Sequence, residues 1–145
     1  MTINSPTAYV AGIWDWSTLD GCFGKTAIHP GDIDGCVERH GFFLFLENKD
    51  DGVDMKSGQR ILLTKLSEQP NTLCLFFNGN ALRQSVSRIF IIADGSWRKA
   101  SHPSLECLRG IVADWYWWAE EDADLAAAAW ESDYVPYLEV PTDPE

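Results

Sequence analysis

The sequence predicts an α/β (α+β) chain, a mixed central sheet flanked by helices, and three observations carry that expectation. Two runs rich in apolar and aromatic side chains, residues 33 to 39 and 42 to 48, stand on either side of His40-Gly41, the permissive pair a tight two-residue hairpin needs. A stretch with Ile61, Leu62, Lys65 and Leu66 at helical spacing stops at Pro70-Asn71 and leads into the near-continuous apolar run Thr72-Leu73-Cys74-Leu75-Phe76-Phe77. Further on, Leu108, Ile111, Val112, Trp115 and Trp118 recur at i+3 and i+4 intervals, an apolar face suited to covering a sheet.

Taken in order, residues 12 to 23 read as a short helix or structured lead-in whose Asp15 and Asp20 are capping or loop acids, the alternative being an extra outer ligand. The hairpin follows, then Asp50-Asp51-Gly52-Val53-Asp54 as a polar connection. The helix of residues 59 to 69 and the buried strand of residues 72 to 77 make a crossover suited to parallel pairing. Residues 86 to 93 form another strand, and Asp94-Gly95 turns the chain into Ser96-Trp97-Arg98. Pro103-Ser104-Leu105-Glu106 opens the long helix with Ser104 as its cap, and residues 125 to 130, with four alanines, extend the helical region. With 145 residues, 46% of them hydrophobic, and seven Trp and seven Phe, the chain fills one well-packed domain; the expected organisation is a single domain over residues 1 to 135 and an acidic tail over residues 136 to 145.

Several classes are set aside by composition. No run of about 18 apolar residues is present, and Met1-Thr2-Ile3-Asn4-Ser5-Pro6 lacks the basic and apolar regions of a signal peptide, so a cytoplasmic protein with no membrane association is expected. Cys22, Cys36, Cys74 and Cys107 stand far apart without a C-x-x-C, which argues for reduced thiols and against a zinc site or disulfide framework. His29, His40 and His102 fall in turns or loops, and only His29 is near enough to the first strand to support a site there. No glycine-rich phosphate loop or nucleophilic serine motif occurs.

The hairpin itself carries the chemistry. With His40-Gly41 as the turn, Arg39 faces Phe42, and counting back along both arms sets Asp34 opposite Glu47. Opposed residues on antiparallel strands have Cβ atoms roughly 4.5–5.5 Å apart, so two carboxylates there repel unless something positive joins them. Lys49 shares the face of Glu47, about 6–7 Å further along. Mg²⁺ or Mn²⁺ prefers oxygen donors, so Asp34, Glu47, a strand carbonyl such as that of Asn48, and waters make a suitable shell. Such a metal acidifies a bound water and polarises a phosphoryl oxygen, while Lys49 orients the nucleophile or balances charge. Short E-x-K strings also arise by chance, and charges at a strand end are commonly a solvated edge or a simple ion pair; here they close a strand, residues 42 to 46, that is apolar on both faces and hence buried.

Asp34 followed by Glu47-Asn48-Lys49 resembles the PD-(D/E)XK nuclease superfamily, whose members pair an Asp on one strand with E-x-K on the next. Asp32-Ile33-Asp34-Gly35 and Gly41-Phe42-Phe43-Leu44-Phe45-Leu46-Glu47 are similar to its small phage and bacterial branch, related to Holliday-junction resolvases. Gln59, in Ser57-Gly58-Gln59-Arg60, resembles the glutamine that several branches carry after the lysine. The resemblance spans roughly residues 13 to 95. It implies a restriction-endonuclease-like core, Mg²⁺ or Mn²⁺ as cofactor, DNA as substrate and Gln59 as a residue positioning substrate or water. In one respect the chain departs from the pattern: Pro30 stands two residues before Asp32, not Asp34, which leaves either aspartate as the ligand, with the register favouring Asp34 because Asp32 would face Lys49.

Charge runs against a simple DNA-binding surface. The net charge is −11, yet residues 1 to 109 hold 12 acids and 11 bases; residues 110 to 145 hold ten acids and no Lys or Arg. DNA affinity rests largely on Lys and Arg, so binding requires a segregated basic face, for which Arg60, Lys65, Arg83, Arg88, Arg98 and Lys99 are candidates, or else these are scattered solubilising charges. Trp115-Tyr116-Trp117-Trp118 sits among acids, which argues for core packing or a protein-binding patch over a base-stacking platform. Two readings follow: a Mg²⁺-dependent nuclease using Asp34, Glu47, Lys49 and Gln59, with a homodimer as one means of cutting two strands, and a phage-type interaction or inhibitor protein on a nuclease-like scaffold, whose acidic, Trp-rich C-terminal third binds a partner's basic surface or mimics the charge of DNA.

Overall fold

The computed structural model describes residues 5 to 134, and its contacts divide the chain into two units, Met1–Asp32 and Ile33–Glu145. In the first unit, α1 (Pro6–Ala11) is followed by one turn of 3-10 helix, Trp16–Leu19. Asp15 caps that turn by accepting from the Ser17 backbone N–H and hydroxyl at 3.0 and 2.7 Å, bonds that hold its carboxyl below the usual range. Tyr9, Ile13, Trp14, Trp16, Phe23 and Ile28 all face solvent.

The second unit is an α/β fold built on one five-stranded mixed sheet. Its elements are β1 (Gly35–Arg39), β2 (Phe42–Asp50), α2 (Ser57–Ser67), β3 (Thr72–Asn80), β4 (Ser85–Ala93), β5 (Ser96–Lys99), α3 (Leu105–Glu120) and α4 (Leu125–Trp130). The strands lie side by side in chain order; β2 and β3, joined through α2, are parallel, and the other neighbours are antiparallel. Short antiparallel links need only turns, whereas the parallel pair needs the crossover that α2 supplies.

Alternation along the strands sends two apolar sets to opposite faces. Phe42, Leu44, Leu73, Leu75, Ile89 and Ile91 pack with Leu108, Ile111 and Trp115 of α3 and Leu125 of α4. Cys74, Phe76, Ile92 and Trp97 pack with Leu63 of α2 and with Met55. Helices therefore cover both faces, and the central strand β3 is buried without a break from Thr72 to Phe76.

Three boundaries differ from the sequence expectation, each for a local reason. β1 begins at Gly35, two residues later than expected, because the paired ladder starts with Gly35 opposite Leu46. β3 continues past Phe77 to Asn80 because Asn78 turns inward and satisfies its amide, as described below. Residues 125 to 130 form a separate helix: Asp122 takes a left-handed φ of 54°, and Asp124 caps α4 by accepting from the Ala127 N–H. Ser104 caps α3 as anticipated, accepting from the Cys107 N–H at 2.9 Å. The expected tail of residues 136 to 145 lies outside the described residues. Among those described, no helix is long and apolar enough to cross a membrane.

Candidate functional site

His40 and Gly41 both take positive φ, 53° and 82°, the pattern of a type I′ turn whose twist matches the strands it joins. That turn locks the register at Arg39 opposite Phe42 and Gly35 opposite Leu46; the ladder ends there, and Asp34, at a bend just outside β1, reaches the end of β2 through its backbone N–H to Glu47 and its carboxylate to the Asn48 N–H. β3 then pairs with β2 on its other side, setting Phe76 beside Glu47 and Asn78 beside Lys49. Glu47 is thereby a carboxylate on an interior strand, only 3% exposed.

Such burial is tolerated only when the charge is met by donors. One Glu47 carboxylate oxygen accepts from the Asp34 backbone N–H at 3.3 Å. The other accepts from the Gln59 side-chain amide at 2.8 Å and lies 3.8 Å from the Lys49 ammonium. Asp34 turns its own carboxylate to the Asn48 backbone N–H, 2.8 Å away. Gln59 stands in the first turn of α2, where the helix dipole favours a nearby anion. Its carbonyl oxygen is buried without a hydrogen-bond partner. The Asp34 backbone, Lys49 and Gln59 thus meet on Glu47 at the carboxyl end of β2, and Asn48 joins them through its backbone N–H to Asp34, while its side-chain amide donates to the Phe77 and Lys49 carbonyls. Among the described residues no group of three or more His, Cys, Asp or Glu side chains is gathered to hold a metal.

A residue that sequence reasoning passed over, Asn78, organises the surroundings. It is 1% exposed, and its amide nitrogen donates to the Asp50 and Val53 carbonyls at 2.8 and 2.7 Å. Its oxygen accepts from Arg88 Nε at 2.8 Å, and Arg88 reaches on to Asp54 at 2.9 Å. Ser87 donates to the Asp51 carboxylate at 2.6 Å. The connection from Lys49 to α2 is therefore pinned from β3 and β4, and this fixes where Gln59 meets Glu47. Gly79, beside Asn78 at a register shift, is also fixed in identity, since a Cβ there would collide with the Ser85 carbonyl.

The proposed basic residues do not form one uninterrupted track. Arg60 lies 4.5 Å from the Trp97 ring on the α2 side, and Lys65 is within 3.6 Å of Glu68. Arg88 shares that side but is held by Asp54 and lies 5.1 Å from the Phe90 ring. Lys99, opposite Phe90, belongs to the same face by alternation, whereas Arg98 lies 4.2 Å from the Trp130 ring on the opposite one, and Arg83 stands in the β3–β4 turn. The aromatic quartet divides too: Trp115 is core, while Tyr116 and Trp117 are exposed and meet edge to face at 5.3 Å. Arg39 pairs with Glu120 and holds its carboxyl below the ordinary glutamate range; His40 adds a contact at 3.3 Å.

Comparison of the chain with protein-family models, curated proteins and solved structures returned no match.

Proposed function

We propose that this chain is a divalent-metal-dependent nuclease that hydrolyses DNA phosphodiester bonds. The observation that carries the reading is the meeting of Asp34, Lys49 and Gln59 on the buried Glu47 carboxylate. The unpartnered Gln59 oxygen and the all-oxygen donor set suit Mg²⁺ or Mn²⁺, which Asp34 and Glu47 would hold with the Asn48 carbonyl. When bound, such an ion acidifies a water and withdraws charge from the phosphoryl group. Lys49 sets a positive charge where negative charge builds on the phosphate and orients the attacking water. Gln59 holds the Glu47 carboxylate in one orientation through its amide N–H, and Asp34 is steadied by the Asn48 N–H.

Calorimetric titration of Mn²⁺ into the unmodified chain and into Glu47→Ala, beside a cleavage assay on supercoiled, linear and branched DNA, tests this. Saturable binding and cleavage, both lost in the variant, are the expected outcome. Absence of metal binding by the unmodified chain would overturn it.

A second reading has its own observation. Tyr116 and Trp117 stand exposed near Glu120, Glu121 and Asp122 at the end of α3, an aromatic and acidic surface suited to a basic protein. On that reading, affinity for such a partner falls with salt and is lost in Trp117→Ala, with Glu47→Ala having no effect.

A further inference from the structure

β1 is an edge of the sheet: Gly35–Arg39 pairs with β2, and no other described strand lies on its far side. An open edge offers a row of unpaired N–H and C=O groups, and proteins ordinarily blunt it with Lys, Pro, a bulge or outward charges. Gly35-Cys36-Val37-Glu38-Arg39 has no Lys or Pro, and both of its charges are drawn back into their own chain. Glu38 accepts from the Gly41 N–H at 2.8 Å, and Arg39 is taken by Glu120 and lies 5.4 Å from the Tyr116 ring. Cys36, Val37 and Glu38 are exposed and the Arg39 side chain is partly so, but the two charged groups are engaged by their own chain, which leaves Cys36 and Val37, the latter 43% exposed, as the side chains with no such tie. The opposite edge is guarded: β5 has four residues, buries Trp97 and ends in Arg98-Lys99.

We propose that β1 pairs antiparallel with β1 of a second copy of this chain, with Val37 on the two-fold axis. The strand is self-complementary in that register: Val37 meets Val37, Cys36 meets Glu38, and Gly35 leaves room opposite the long side chain of Arg39. Neighbouring registers are opposed by charge. Centring on Glu38 or on Arg39 sets like charges face to face, and centring on Cys36 sets Asp34 opposite Glu38. Pairing in this way continues the sheet to ten strands about an axis perpendicular to it, so α2 of each copy lies on the same side. Strand geometry then places the two Glu47 residues roughly 25 Å apart on one surface. That spacing gives a nuclease two sites for two strands, but the pairing itself does not rest on the nuclease reading. Because each copy carries a net charge of −11, added salt strengthens the association.

The test uses the full chain with Cys22→Ser and Cys36→Ser, into which Val37→Cys or, as a control in the β3–β4 turn, Leu82→Cys is placed. The expected result is a covalent dimer of twice 16.3 kDa from Val37→Cys, by disulfide or short bis-maleimide, at concentrations where Leu82→Cys stays monomeric. Sedimentation of the unmodified chain shows a concentration-dependent dimer that tightens with salt, and Val37→Lys abolishes it with an unchanged circular dichroism spectrum. A monomer at every concentration, a dimer indifferent to Val37→Lys, or equal crosslinking at positions 37 and 82 would each overturn the proposal.

Discussion

A carboxylate as deeply buried as that of Glu47 is held by what reaches it from three segments: the Asp34 backbone, the Gln59 amide and the Lys49 ammonium. Gln59→Leu withdraws a donor from a buried charge, and unfolding in urea is expected to show a loss of about 1–3 kcal/mol together with a loss of cleavage. Asn78→Ala removes three buried hydrogen bonds at once; because these bonds pin the strand-to-helix connection, it is expected to lose stability and to misplace Gln59. The cysteines report on burial directly. Burial pushes the Cys74 thiol up to about 12 and raises Cys107 as well, so at pH 8 a thiol reagent should label Cys22 and Cys36 in the native chain and all four only after denaturation. In the unfolded chain Cys74 ionises near 9.0 and in the folded one near 12, so the folded state holds the proton longer; its contribution is intact below pH 9 and is lost as pH rises from there towards 12.

The hairpin is the element on which the site depends. Gly41 holds a φ of 82°, so Gly41→Ala should cost about 1–2 kcal/mol in urea unfolding, and relaxation of the turn would slide Asp34 away from Glu47. Much of this was legible in the chain. A two-residue turn fixes the pairs from Arg39–Phe42 to Gly35–Leu46, so locating His40-Gly41 was enough to bring Asp34 near Glu47 and Lys49; that Asp34 leaves the ladder and gives its carboxylate to the Asn48 N–H was not legible. Gln59 needed the helix to be placed as well. Asn78 was not legible: nothing beside it tells a buried amide from a polar residue ending a strand, since its partners, the Asp50 and Val53 carbonyls, lie 28 and 25 residues away. The interruption between α3 and α4 was equally hidden, because its left-handed residue is Asp122 rather than a glycine.

Across the whole molecule, charge and topology set the terms of any encounter. Arg39, Lys49, Lys65 and Arg88 each have an acidic partner within the chain, and Arg98 lies on the opposite face from the site. Five of the eleven Lys and Arg side chains are thus engaged or turned away from the site, and the logarithm of the binding constant should fall with the logarithm of salt with a slope no steeper than about −5, measured by fluorescence anisotropy. The order in which the sheet closes has a consequence of another kind. β1 and β2 are joined by a two-residue turn, whereas β2 and β3 meet only after α2 has crossed over, so Glu47, Lys49 and the Asp34 backbone meet in a local hairpin while Gln59 and the wall of β3 depend on longer-range closure. During folding, then, Glu47 meets Lys49 and the Asp34 N–H with the hairpin but lacks the Gln59 amide until the crossover closes, and refolding should quicken in mild acid, which discharges a carboxylate that is being buried before its last donor arrives. The feature that concentrates charge in the finished molecule is, for the folding chain, a barrier that solution conditions can tune.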